Sequence, residues 1–240
     1  MKKIYNISKS DALLITDIQK DFLPGGALPI ADGDQIIPVL NGYTRRFEKA
    51  KAYVFASRDW HPPNHISFKV QGGPWPTHCV QNTDGATFSP DLKLPVGTFL
   101  ISKATEPQHE SYSVFDRTDF VNELQMHGVT RLFIGGLATD YCVVNTVLDA
   151  CKLGFETVVL VDATLGINVK PGDVDKAIET MLSVGAEQAT SENFPEPVDT
   201  LPIEETEPDA LEEKPSERAA VKKKARMRPR GSAKRVRTEK

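Results

Sequence analysis

Cysteine is the first thing this chain has little of. Three cysteines in 240 residues, Cys79, Cys142 and Cys151, are sparse and odd in number, which points to reduced thiols rather than a cross-linked framework. Long apolar runs are missing as well. No stretch approaches the ~20 continuous apolar residues of a bilayer-crossing helix, and Met1-Lys2-Lys3-Ile4 leads into no apolar segment of the secretory kind. No membrane span is therefore expected, and a cytoplasmic location is. A large charge of one sign is absent too. The net charge is −4, with 40% apolar and 26% charged residues, a balance that excludes a wholly disordered or collagenous chain.

What is present divides unevenly. Residues 192–220 carry ten acidic side chains against Lys214 and Arg218, with five prolines, whereas residues 222–240 carry ten basic side chains against Glu239. Neither block has much to bury, so residues 192–240 are expected to be a disordered tail, acidic and proline-rich and then basic. The folded domain is expected over residues 1–191, and truncation after about Ala189 is expected to leave its activity intact.

Within that domain short apolar runs alternate with amphipathic stretches. This is the pattern of a three-layer α/β/α fold with a mainly parallel central sheet. Strands are predicted at 12–16, 52–57, 98–102, 131–135 and 157–161, with a weaker sixth near 187–190. Helices are predicted at 34–50, 119–127, 140–153 and 173–184, several opened by Asp as a cap and stopped by Gly128, Gly154 or Gly185. The interval 59–93 is rich in Pro, Gly and His and too irregular for another strand-helix unit. Loops of that length in compact domains are usually functional.

Ligands of open parallel sheets bind beyond the carboxyl ends of the strands. Reactive side chains follow the predicted strands there: Asp17, then Asp59 and His61, then Lys103, then Cys142. Cys142 falls in the first turn of the predicted third helix, where free N–H groups, the helix dipole and a nearby Lys103 would lower its thiol pKa. Asp17 paired with Lys103 would be an ionised base for that thiol. Asp59-Trp60-His61 with the distant His78 supplies one oxygen and two nitrogens, a set suited to one divalent ion, zinc first, with Mn²⁺ and Fe²⁺ as alternatives. His65 stands behind His61 and His78 as a ligand. Phe22 and Trp75 are candidate walls for a flat ring. Residue type alone also allows a buried structural cysteine, polar-loop histidines, a turn aspartate and ordinary aromatic packing.

Together Asp17-Ile18-Gln19-Lys20-Asp21-Phe22, Asp59-Trp60-His61-Pro62, Trp75-Pro76-Thr77-His78-Cys79, Lys103 and Gly136-Leu137-Ala138-Thr139-Asp140-Tyr141-Cys142-Val143 resemble the nicotinamidase branch of the isochorismatase-like cysteine hydrolases. The resemblance runs in order from about residue 10 to 190. It implies hydrolysis of nicotinamide to nicotinate and ammonia in NAD salvage, through a thioester on Cys142. Asp17, Lys103 and Cys142 would be the triad, and Asp59, His61 and His78 would hold a metal that positions the substrate ring. It further implies a cis peptide before Ala138, with the Ala138 and Cys142 N–H groups as oxyanion hole. Two details depart from the family pattern: Ala104 stands where glycine is common, and the segment 106–110 is altered.

Two other accounts compete. One is a related cysteine amidase acting on another small amide or carbamoyl compound. The other is a noncatalytic binding protein whose basic end contacts nucleic acid; that end lacks interleaved aromatics for base stacking, so a solvated tail is the simpler reading. A homo-oligomer is compatible with such a domain, and the sequence sets no subunit count.

Overall fold

The computed structural model describes residues 3–195. Of the tail expected over 192–240, residues 196–240 lie outside the described residues. Six strands run β1 (Asp11–Thr16), β2 (Tyr53–Asp59), β3 (Phe99–Lys103), β4 (Arg131–Leu137), β5 (Glu156–Leu165) and β6 (Glu187–Ala189). They form one sheet in the order β3-β2-β1-β4-β5-β6, and every pairing is parallel. All six strand expectations are met, with β5 four residues longer at its end than the apolar run suggests.

Alternation along β1 explains the layers. Leu13 and Ile15 face one side, where α1 (Ile37–Lys49) presents Ile37, Leu40, Tyr43 and Phe47. Ala12 and Leu14 face the other, against α2 (Phe120–Met126), α3 (Val144–Lys152) and α4 (Asp173–Ser183). Both faces of β1 are buried throughout, which is why its sequence reads as a continuous apolar run and not as an alternating one.

Helix starts differ from expectation at two places. The first helix begins at Ile37, after a 3₁₀ turn over Gly33–Ile36, because Pro38 suits the first helical turn and not a helix interior. The third is preceded by a π-helical turn, Thr139–Val143, so Cys142 sits in that turn and not in the first turn of an α-helix. Among the described residues, no α-helix has a side-chain N-cap bond. Asp140 instead accepts the N–H groups of Ile167 (2.9 Å) and Asn168 (2.7 Å), pinning a loop across the site. The three glycine stops hold: Gly128, Gly154 and Gly185 all have positive φ.

Core packing continues past the boundary expected at residue 191. Phe194 is 4% exposed and packs its ring on Tyr5, Tyr43 and Phe133. Phe194→Ala is expected to destabilise the domain by about 3 kcal/mol, the usual range for emptying a buried aromatic site. Truncation after Ala189 should therefore lower the melting temperature, and truncation after Pro195 should not. Equal melting of the two truncated forms would show that Phe194 contributes nothing.

Among the described residues, no helix is long and apolar enough to cross a membrane.

Candidate active site

The chain proceeds from β1 outward to β3, then crosses to β4 and proceeds the other way. The crevice where that direction reverses lies at the carboxyl ends of β1 and β4. Asp17 follows β1 immediately, and Cys142 follows β4 within the π-turn. Lys103 is the last residue of β3 and Asp59 the last of β2, paired in register. Close approach of β1 and β4 demands Gly136, since a Cβ there would lie 2.1 Å from the Thr16 carbonyl oxygen. The Leu137–Ala138 peptide is cis.

Lys103 is the hub. Its side chain is fully buried, and Nζ lies 3.0 Å from Asp17 Oδ2, donates to Asp59 Oδ1, and sits 3.2 Å from Cys142 Sγ. Burial alone would depress the Lys103 pKa, but Asp17 and Asp59 outweigh it and raise it well above the usual value, so the ammonium stays charged. Burial likewise disfavours charge on Asp59, yet Lys103 and the neighbouring imidazoles hold it below the ordinary carboxylate range. Asp17 goes the other way. Burial and the Asp59 charge raise its pKa despite Lys103 and a 2.7 Å hydrogen bond from Ser57 Oγ.

The shift of the thiol runs opposite to the one expected from its position. Burial, with Asp17 and Asp59 adding to it, pushes Cys142 well above its usual value, and Lys103 offsets only part of that. That direction favours the protonated sulfur, and the Asp17 carboxyl lies beside it. Cys79 is a fully buried core residue whose N–H binds Asp21 Oδ2 at 2.7 Å, and Cys151 on α3 is half-buried, packed against the core that holds Ala12 and Leu14.

Beside the thiol, one ligand atom each from Asp59, His61 and His78 lie within 4.8 Å of one another. Both ring nitrogens of His61 are buried without a hydrogen-bond partner. His78 Nδ1 is 2.7 Å from the Pro76 carbonyl, which can only accept, so Nε2 carries the lone pair, and burial keeps the ring neutral. An orphaned imidazole, an oriented neutral one and an ionised carboxylate fit a divalent cation of the zinc type. His65 does not fit, although it and Glu110 are also close to His61. Its Nε2 donates to the His109 carbonyl (2.9 Å) and its Nδ1 accepts from Ser67 (2.7 Å), leaving no lone pair.

Phe22 and Trp75 both line the cleft, with Leu28, Glu110, Tyr112, Tyr141 and Ile167. Nothing in the sequence singles out the last five. Tyr112, whose pKa burial pushes up to about 12, accepts the Trp75 Nε1 hydrogen bond at 3.0 Å, and Tyr141 meets the Trp75 ring edge-on at 5.0 Å. Ala104 has φ +52°, the region glycine enters without penalty, which accounts for the glycine common at that position.

The chain matches the isochorismatase domain over residues 11–193. It is 38% identical over 196 residues to the nicotinamidase of Escherichia coli (strain K12), spanning 73% of this chain and 92% of that one. Among solved structures it resembles the pyrazinamidase of Pyrococcus horikoshii in complex with zinc, at 52% identity and a TM-score of 0.73, covering 75% of this chain and 99% of that one. It also resembles PnC1 from L. infantum in complex with nicotinate, at 33% identity and a TM-score of 0.75, covering 80% and 98%.

Proposed function

The chain belongs to the isochorismatase domain family, and from that premise we propose that it hydrolyses nicotinamide to nicotinate and ammonia, with Cys142 as nucleophile, Asp17 as proton carrier and Lys103 as the cation between them. One observation carries the reading. A single buried ammonium lies within 3.0 Å of a carboxylate and 3.2 Å of a thiol, in a cleft that also presents a metal-type ligand set. The similarity to a nicotinamidase, a zinc-bound pyrazinamidase and a nicotinate-bound protein supports the substrate class.

The chemistry follows from the charges. Because the thiol rests neutral, Asp17 takes the Sγ proton as sulfur bonds to the carboxamide carbon; its raised pKa makes it a stronger base than an exposed aspartate. The oxyanion falls to the N–H groups of Ala138 and Cys142. Asp17 hands the proton to the departing nitrogen, the C–N bond breaks, and a thioester remains on Cys142. Water attacks that carbon and gives a proton to Asp17, which passes it to sulfur as the C–S bond breaks and the acid leaves. Lys103 keeps Asp17 ionised at the start of each half. Asp59, His61 and His78 would hold one divalent ion, zinc first, which when bound supplies an anchor for the pyridine nitrogen. Phe22 and Trp75 flank the ring. The three free cysteines support a reducing, cytosolic setting.

Two tests apply directly. Exhaustive chelation is expected to remove most ammonia release from nicotinamide, and added zinc or manganese to restore it; indifference to metal removal would sink the ligand assignment. On the acid side, kcat/KM should fall as Asp17 protonates, because a protonated carboxyl cannot accept the thiol proton. The midpoint should lie above 3.8, the ordinary value for aspartate. A midpoint at or below that figure would remove Asp17 from the role.

A further inference from the structure

We infer that Gln19 is the positioning residue of the metal centre: its carboxamide replaces a peptide group in the β1–β2 ladder and fixes the main chain that carries the Asp59 carboxylate. This rests on the reading of Asp59, His61 and His78 as metal ligands.

The need for such a group arises where β1 ends. Thr16 is the last β1 residue in register, opposite Ser57 of β2. The chain then turns at Asp17, with φ +53°, and leaves the sheet, while β2 continues two residues further to Asp59. On the β3 side the ladder goes on, with the Trp60 N–H donating to the Lys103 carbonyl at 3.1 Å. On the β1 side the Asp59 N–H and C=O have no strand to meet. Gln19 fills that gap. Its Oε1 accepts the Asp59 N–H at 2.8 Å and its Nε2 donates to the Asp59 carbonyl at 2.7 Å. The second Nε2 hydrogen goes to the Ala86 carbonyl at 2.9 Å. Gln19 is 0% exposed, so no water substitutes for it.

The consequence reaches each ligand in turn. Asp59 divides its carboxylate between Lys103 at Oδ1 and the His61 side at Oδ2, 3.6 Å from His61 Nε2, so a small shift of its main chain misaligns both. Two residues on, the His61 N–H donates to the Cys79 carbonyl at 3.0 Å and its carbonyl accepts the Gln81 N–H at 2.8 Å, which ties the His78 loop to the same strand end. Gln19 therefore sits at the root of a chain of hydrogen bonds that spans the ligand set. Neither an apolar nor an acidic replacement reproduces it. Methionine would leave the Asp59 N–H and two carbonyls unpaired in the interior, and glutamate would set a carboxylate against those two carbonyls.

The test uses the full-length chain and zinc as probe, with the dissociation constant measured by chelator competition and the melting temperature of the metal-free protein taken alongside. Gln19→Met and Gln19→Glu are each expected to weaken zinc binding about 10–100-fold, the range for losing a group that orients a ligand. Phe194→Ala, destabilised far from the cleft, is expected to bind zinc as the unaltered chain does. Zinc affinity unchanged in both Gln19 variants would overturn the inference, and so would failure of both to fold, which would make Gln19 a structural residue only. An unaltered chain that binds no zinc, or binds it equally well after His78→Ala, would instead overturn the ligand reading, and the two failures are told apart by that arm.

Discussion

Cys142→Ala is expected to lower kcat for nicotinamide hydrolysis by roughly 10⁴-fold or more, the scale on which loss of a nucleophile registers in enzymes that work through a covalent intermediate. Sulfur has no substitute in the cleft. Asp17 could at best guide a water directly to the carboxamide, without the intermediate that splits the reaction into two easier steps. The variant should fold, since it exchanges a small buried side chain for one slightly smaller and gives up the 3.2 Å contact with Lys103 and the hydrogen bond to Asp17. It should also bind zinc as before, because the thiol is not among Asp59, His61 and His78. Near-normal turnover in a folded, zinc-loaded Cys142→Ala protein would dismiss the nucleophile assignment.

Lys103→Met is expected to destabilise the fold by about 3–5 kcal/mol and to abolish activity together with it. Lys103 is 1% exposed and lies between two buried carboxylates, so its removal strands both. Methionine fills much the same volume, which confines the loss to charge. Asp17 supplies the internal control. Its pKa is raised in the fold, so its ionised form weakens the folded state, and the proton's contribution to stability is present at low pH and lost as pH rises through the folded value. Asp17→Asn alone should therefore leave stability at pH 7 within about 1 kcal/mol of the unaltered chain while removing activity. Combined with Lys103→Met it should recover part of the lost stability, a non-additive pair. Urea unfolding of the four proteins gives all the values. Additive losses, or a Lys103→Met protein within 1 kcal/mol of the parent, would contradict the account.

The sheet was legible because parallel strands buried on both faces write themselves as apolar runs, and the glycine stops marked helix ends by backbone geometry alone. Residues that gather at strand ends were legible for the same reason: placing the strands places Asp17, Asp59, Lys103 and Cys142. What escaped depends on neighbours distant in sequence. The direction of the Cys142 shift turns on burial and on two carboxylates from other strands, which position in a helix does not report. Tyr112, Leu28 and Ile167 reach the cleft from separate loops and Tyr141 from the π-turn, with no periodicity to announce them. His65 differs from His78 only in that both of its nitrogens are already bonded. Phe194 was hidden by the acidic, proline-rich composition around it, although its ring completes an aromatic cluster with Tyr5, Tyr43 and Phe133. The π-turn carrying Cys142 has the same residue preferences as the helix it leads into.

The central claim is that carbon–nitrogen cleavage passes through sulfur, and rapid quenching addresses it most directly. The full-length chain is mixed with nicotinamide, stopped in acid within the first turnover and digested for peptide mass spectrometry. A nicotinoyl group on the Cys142 peptide, rising before nicotinate and absent from Cys79 and Cys151, is the predicted result. Full turnover with no acyl group on Cys142 at any time, or an acyl group on a different residue, would contradict it.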